Sequence, residues 1–208
     1  MLPTYCFPAD DVRVDLLRER GDGWHDAEVS GAMLRRAARL LDDLPGPAGA
    51  ANGLWTFTWD GSVRWFEEAL EIKTHARDPS KRVDVVPSER HIRVELDGTL
   101  LADSKRPAAL FETTLPTRWY LPPEDVALDL LEPSELRTNC PYKGQASFFS
   151  VRAGGELHRD LAWTYPQPLP ECPGVRNRIC FLNERVDITI DGEPQKRPFT
   201  PWSLDAAG

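Results

Sequence analysis

No run of about 18 apolar residues occurs in this chain, so no helical membrane span is expected. No C-x-x-C pair occurs either. The cysteines at 6, 140, 172 and 180 and the histidines at 25, 75, 91 and 158 are scattered. That spacing offers no zinc site, and no metal or redox cofactor is expected. Spacing alone would allow Cys172 and Cys180 to pair, but reduced thiols in a cytoplasmic protein fit best. Met1-Leu2-Pro3-Thr4 has no basic region and no apolar core, so no secretory signal is expected. A long basic run is missing as well. The formal net charge is −8, and basic clusters such as Arg35-Arg36 and Lys81-Arg82 are short. A nucleic-acid surface, which shows as a basic stripe, is therefore not expected.

Proline is abundant. Nineteen of them imply many short elements and turns, because proline lacks the N–H that a helix or sheet interior needs. At 208 residues the chain can bury one good core or two small ones.

A short internal repeat is visible. Pro8 to Leu17 matches Pro122 to Leu131 at six of ten positions, which points to an internal duplication. Each copy runs from an aromatic strand end into proline, which presets φ for a first helical turn. Acidic residues follow (Asp10-Asp11; Glu124-Asp125), where a helix start favours negative charge. The copies then diverge. In the first, Ala27, Met33, Leu34, Ala37, Ala38 and Leu41 have the spacing of an amphipathic helix within Asp26 to Leu44. Ser30-Gly31 weakens its first half. A flexible connector, 45–53, comes next.

Strands are expected at Leu54 to Trp59, Val63 to Phe66 and Leu70 to Lys73, with Asp60-Gly61 as a hairpin turn between the first two. Residues 77–87 read as a polar linker. His91 to Glu95 and Thr99 to Asp103, across Asp97-Gly98, make the clearest hairpin, with one wet face. Further strands are expected at 109–113, 179–182 and 186–190. An aromatic hairpin, Ala146 to Val151 and Glu156 to Ala162, turns at Gly154-Gly155. The tail after Gly192 reads as loose except where Phe199 or Trp202 packs.

Several linked segments resemble the bacterial and fungal domain-of-unknown-function family 427. They include Val94-Glu-Leu-Asp-Gly98, Ala102 to Pro107, Phe111-Glu-Thr113 and Trp119 to Val126. Cys140-Pro-Tyr-Lys-Gly144, Ala162-Trp-Thr-Tyr-Pro166 and Phe181 to Asp187 complete the set. The resemblance covers roughly 90–193 and implies a mostly β domain of strongly bent antiparallel sheets with short helices. Residues 1–85 read as a degenerate first copy carrying the inserted helix, and 194–208 as a tail. Where the family often has His and Tyr, this chain has Asn139 and Leu182. The family's label, nucleotidyltransferase-like, calls for a Gly-Ser turn and a spaced acidic pair for two metals, and the chain has neither.

The residues that could carry chemistry cluster between Thr138 and Pro166. A thiol near an ammonium, Cys140 near Lys143, could act as a nucleophile or line a site. Lys143, Glu112, Tyr142 and Tyr165 are the candidates for acid–base work. Glu112 lies on a strand that should be buried and needs a partner, Arg106 or Lys143. Cys140, Tyr120, Arg106, Trp163, Asn183 and Glu184 are the candidates for substrate binding, with the aromatics as a wall. His158 reads as a surface residue. The expectation is a small-molecule-binding β protein. It would be a metal-free, non-redox acid–base enzyme of specialised metabolism (isomerase, cyclase, lyase or hydrolase type), or a non-catalytic binding or interaction module. A homodimer completing the reduced first copy is a third reading.

Overall fold

Proline starts two matching corners in this computed structural model, which describes residues 4–67, 70–78 and 80–203. Pro8 (φ −59°, ψ 152°) and Pro122 (φ −56°, ψ 142°) each lead into a pair of three-residue 3₁₀ turns. The joining residues, Arg13 (φ −74°, ψ 67°) and Ala127 (φ −73°, ψ 76°), also agree. The expected helical turn is thus 3₁₀ in both places. The chain divides into two compact units, Met1–Asp78 and Pro79–Gly208, and both are built from antiparallel sheet.

The first unit holds β1 (Leu17–Glu19), β2 (His25–Val29), β3 (Ala32–Leu40) and β4 (Trp55–Phe57), paired in that order. A separate pair is formed by β5 (Trp65–Glu67) and β6 (Leu70–Ile72). The expected helix within 26–44 is therefore a hairpin. Ser30 (φ 52°) and Gly31 (φ 80°) form its turn, and both central residues at positive φ are what a two-residue hairpin requires. A bulge misled the periodicity. Arg36 sits at φ 50°, the period-two alternation slips by one residue, and Ala37 and Ala38 are both buried. Two adjacent inward residues after alternating ones imitate helical spacing. Asp60-Gly61 does not form the expected hairpin either, because β4 pairs with β3 and β5 with β6.

The second unit begins earlier than the expected linker allowed. Residues Val83–Pro87 form β7, paired along its length with β10 (Ala108–Glu112). The remaining strands are β8 (Ile92–Leu96), β9 (Thr99–Ser104), β11 (Arg118–Leu121), β12 (Leu131–Cys140), β13 (Gly144–Ala153) and β14 (Glu156–Thr164). They are followed by β15 (Ile179–Phe181), β16 (Asp187–Ile190) and β17 (Glu193–Pro194). One sheet has the order β12-β13-β14-β15-β11-β10-β7, the other β17-β16-β8-β9. Alternation assigns the two faces of the larger sheet. Trp119, Leu121, Ala162 and Phe181 pack with Ile92, Val94, Leu101 and Ile188 of the smaller sheet. Tyr120, Tyr165 and Cys180, with Leu110, face the other way, joined by Phe148 and Trp163.

The two units also share hydrogen-bond registers. In the first, His25 pairs with Ala38 and, past a bulge, Ala27 with Leu34; in the second, Phe149 pairs with Ala162 and Val151 with His158. At each bulge a non-glycine residue takes positive φ, Arg36 at 50° and Asp160 at 53°. Its amide donates to the side chain opposite, Asp26 in one unit and Ser150 in the other. Ala38 opposite Phe57 matches Ala162 opposite Phe181, and the Phe7–Trp55 bridge matches Leu121 opposite Ile179. One feature differs sharply. The first unit closes β1 to β2 with a tight turn, Arg20 N–H to Trp24 O at 3.1 Å. In the second unit β12 and β13 run on as a long arm to Cys140 and Gly144.

Candidate functional site

That arm ends in Cys140-Pro141-Tyr142-Lys143-Gly144, and a backbone contact fixes its tip. Gly144 has φ +96°, and a Cβ there would stand 3.2 Å from Gln167 O and 3.4 Å from Leu169 N. Only glycine allows both the conformation and the approach. Leu169 N–H donates to Lys143 O at 3.1 Å, so the 167–169 segment holds the turn. Lys143 is thereby aimed at Glu112 on β10, with Nζ to Oε2 at 2.5 Å.

This contact measures the bend of the sheet. β13 and β10 are four strands apart in the order, which would put them about 19 Å apart in a flat sheet. A lysine side chain cannot span that, so the sheet curls. The face that turns inward encloses a cavity of about 860 Å3.

The cavity wall has an apolar part, including Leu136, Phe148, Leu157, Trp163, Leu182 and Trp202. Its charged part consists of Glu112, Arg118, Lys143, Arg159, Asp160 and Arg185. Cys140, Tyr120 and Tyr165 also line it. Lys143 and Glu112 are each 9% exposed at the side chain. Burial works against the ammonium, but the Cys140 sulfur and the Glu112 carboxylate outweigh it and hold the Lys143 pKa above the usual lysine value. Burial pushes the Tyr165 and Tyr120 phenols well up, Cys172 up to about 11 and Cys180 to about 12.

A second buried pair stands in the wall. Arg118 donates to both oxygens of Glu184 at 2.7 Å each, and the Thr200 hydroxyl donates to Glu184 Oε1 at 2.6 Å. The guanidinium lies over two indoles, 5.7 Å from the Trp163 ring and 5.8 Å from that of Trp202. Burial disfavours both ions; the bidentate contact prevails, leaving Arg118 raised and Glu184 lowered. The tail, expected to be loose except where Phe199 or Trp202 packs, is held at Trp202 and also at Thr200, while Phe199 is exposed.

The structure brings together Lys143, Glu112, Tyr165, Cys140, Tyr120 and Trp163 around one cavity. Glu184 stands behind it through Arg118. Tyr142 is buried but does not line the cavity. Arg106 is not part of the site: it pairs with Asp125 at 3.1 Å on an exposed edge, so Lys143 alone of the two expected candidates partners Glu112. Asn183 uses its amide on Thr117 O at 2.9 Å and lies off the wall. His158, expected at the surface, lines the cavity. Arg118, Arg159 and Arg185, which also line the cavity, were not among the expected site residues. The signal for Arg118 was a charge opening an otherwise apolar strand, Arg118-Trp-Tyr-Leu121.

All four cysteines are free, so Cys172 and Cys180 do not pair. Among the described residues no group of three or more His, Cys, Asp or Glu is placed to hold a metal ion. None of their helices is long and apolar enough to cross a membrane.

No curated protein matches the chain. The sequence model of a family described as a domain of unknown function (DUF427) matches residues 84–192, just over half of the chain and nearly all the strands that build the cavity. The chain therefore belongs to the DUF427 family.

Proposed function

We propose that this chain is a small-molecule-binding β protein whose ligand occupies the cavity of the second unit. The observation that carries this reading is the cavity itself. It has the size range of ligand pockets and combines an indole-rich apolar wall with a few buried, oriented polar groups. Binding without turnover is the better-supported form. Lys143 is held as an ammonium and the Tyr165 and Tyr120 phenols as neutral groups, so none of the three is poised as a base near neutral pH. In an acid–base enzyme the proton acceptor would be Glu112, with Lys143 as donor to a developing oxyanion.

The shared registers further support reading the first unit as a degenerate copy of the same domain. It carries the corner and the bulged hairpin but no counterpart of the 140–144 arm, so function belongs to the second copy. Free thiols fit a reducing compartment, taken to be the cytoplasm.

The test is a fragment screen by ligand-observed NMR on the wild type and on Leu136→Trp, which places a larger side chain on the exposed rim of the cavity. Hits should weaken in the variant. Hits unchanged there, or none at millimolar concentration, would sink the reading.

A further inference from the structure

Resting on that reading of the cavity, we infer that its ligand is an organic anion with an apolar body, its charged end met by Arg159 and Arg185. The chain as a whole is acidic, at −8, yet four of the six Lys, Arg, Asp and Glu side chains lining the cavity are cations. Two of the four are neutralised in place, Lys143 by Glu112 and Arg118 by Glu184. The other two are not.

Among the described residues the Arg159 guanidinium has no hydrogen-bond or ion-pair partner. Arg185 reaches only the Arg159 carbonyl, at 3.5 Å. Several arginines elsewhere in this unit have carboxylates, among them Arg106 with Asp125, Arg152 with Glu132, Arg93 with Asp103 and Arg197 with Asp187. Arg137 and Arg178 instead donate to backbone carbonyls. The carboxylate closest along the chain, Asp160, also lines the cavity, but it is turned by its positive φ and accepts from Ser134. Among the described residues, two guanidiniums therefore stand with unused donors on the wall of a cavity that also has a broad apolar part.

A guanidinium fork matches the two oxygens of a carboxylate or phosphate, and such charge-assisted contacts are the strong ones. Leu136, Leu157 and Leu182, with Trp163 and Trp202, supply the apolar surface for the body of the ligand. The chemistry selects an amphipathic anion and rejects a free inorganic ion, which would leave that surface empty.

The experiment uses three probes that share one apolar body: 2-naphthoate, 2-naphthyl phosphate and the neutral 2-naphthalenemethanol. Binding to the full chain is followed by tryptophan fluorescence and calorimetry. At least one anion should bind about tenfold or more tightly than the alcohol, and the stronger of the two identifies the headgroup. Arg159→Gln/Arg185→Gln should cut that preference to under about threefold while alcohol binding stays unchanged. Arg159→Gln alone, at an exposed position, should give part of the effect and guards against a folding defect in the double variant. Equal binding of anion and alcohol, or a preference unmoved by both variants, overturns the inference and leaves the cavity reading standing. Failure of all three probes to bind counts against both.

Discussion

Replacing Lys143 by methionine should destabilise the second unit far more than replacing Lys143 and Glu112 together. At 2.5 Å and an effective dielectric of about 20, the attraction between the two ions is about 6–7 kcal/mol. Each ion, 9% exposed, has also lost several kcal/mol of hydration, so the net worth of the pair is small. Removing one partner leaves the other charged and buried, which costs about 3–5 kcal/mol. For a unit of this size that is a fall in Tm of about 10–20 °C. Lys143→Met/Glu112→Leu removes both charges, keeps similar volumes and should return stability to within about 1 kcal/mol of the wild type. Urea unfolding of the two single variants and the double variant gives the coupling energy directly. Single-variant costs below about 1 kcal/mol that simply add in the double would refute the reasoning. Water in the cavity would then be hydrating the orphaned charge, and the pair would not count as buried.

Gly144→Ala should cost about 1–3 kcal/mol in the same assay, because φ +96° is combined with a Cβ 3.2 Å from Gln167 O. Gly155→Ala, at φ +84° with no neighbour within 4 Å, supplies the conformational part alone; an equal or larger loss there would remove the role given to the 167–169 clamp. Asp26 accepts from the Arg36 amide, Arg20 and Arg35, contacts that hold its carboxyl down at about 2. Because its folded pKa lies below its unfolded value, its contribution is complete above about pH 4 and is lost as pH falls through about 2. Asp26→Asn should flatten that acid limb in melts between pH 2 and 5, and parallel curves for the two proteins would contradict it.

Local chemistry made much of the fold legible. Ile92 and Val94 alternate with Arg93 and Glu95, and Asp97 and Gly98 accept positive φ, so that hairpin could be read without tertiary information. The proline corners were legible for the same reason. The hairpin of β2 and β3 was not. Its bulge at Arg36 is stabilised by a hydrogen bond to Asp26, ten residues away in sequence and on the neighbouring strand. No periodicity records such a contact. Residues 83–87 read as linker because Arg82, Asp84 and the flanking prolines are polar or structure-breaking. Pairing with β10 alone makes them a strand.

The Thr138 to Pro166 stretch announced a thiol, an ammonium and an aromatic wall in one place, and Glu112 announced its need for a partner. The sequence by itself thus determined which groups would be forced to meet: a buried carboxylate must find a cation. Which cation it finds was decided by curvature. The curl of seven strands brings the 140–144 turn to β10 and leaves Arg106 outside. The same curl sets Arg118 close to two indoles, one of them from the tail, and puts Arg159 and Arg185 on the cavity wall. Sheet curvature sums small twists over many strands and is written in no single residue, so the enclosure of the site belongs to the tertiary structure alone.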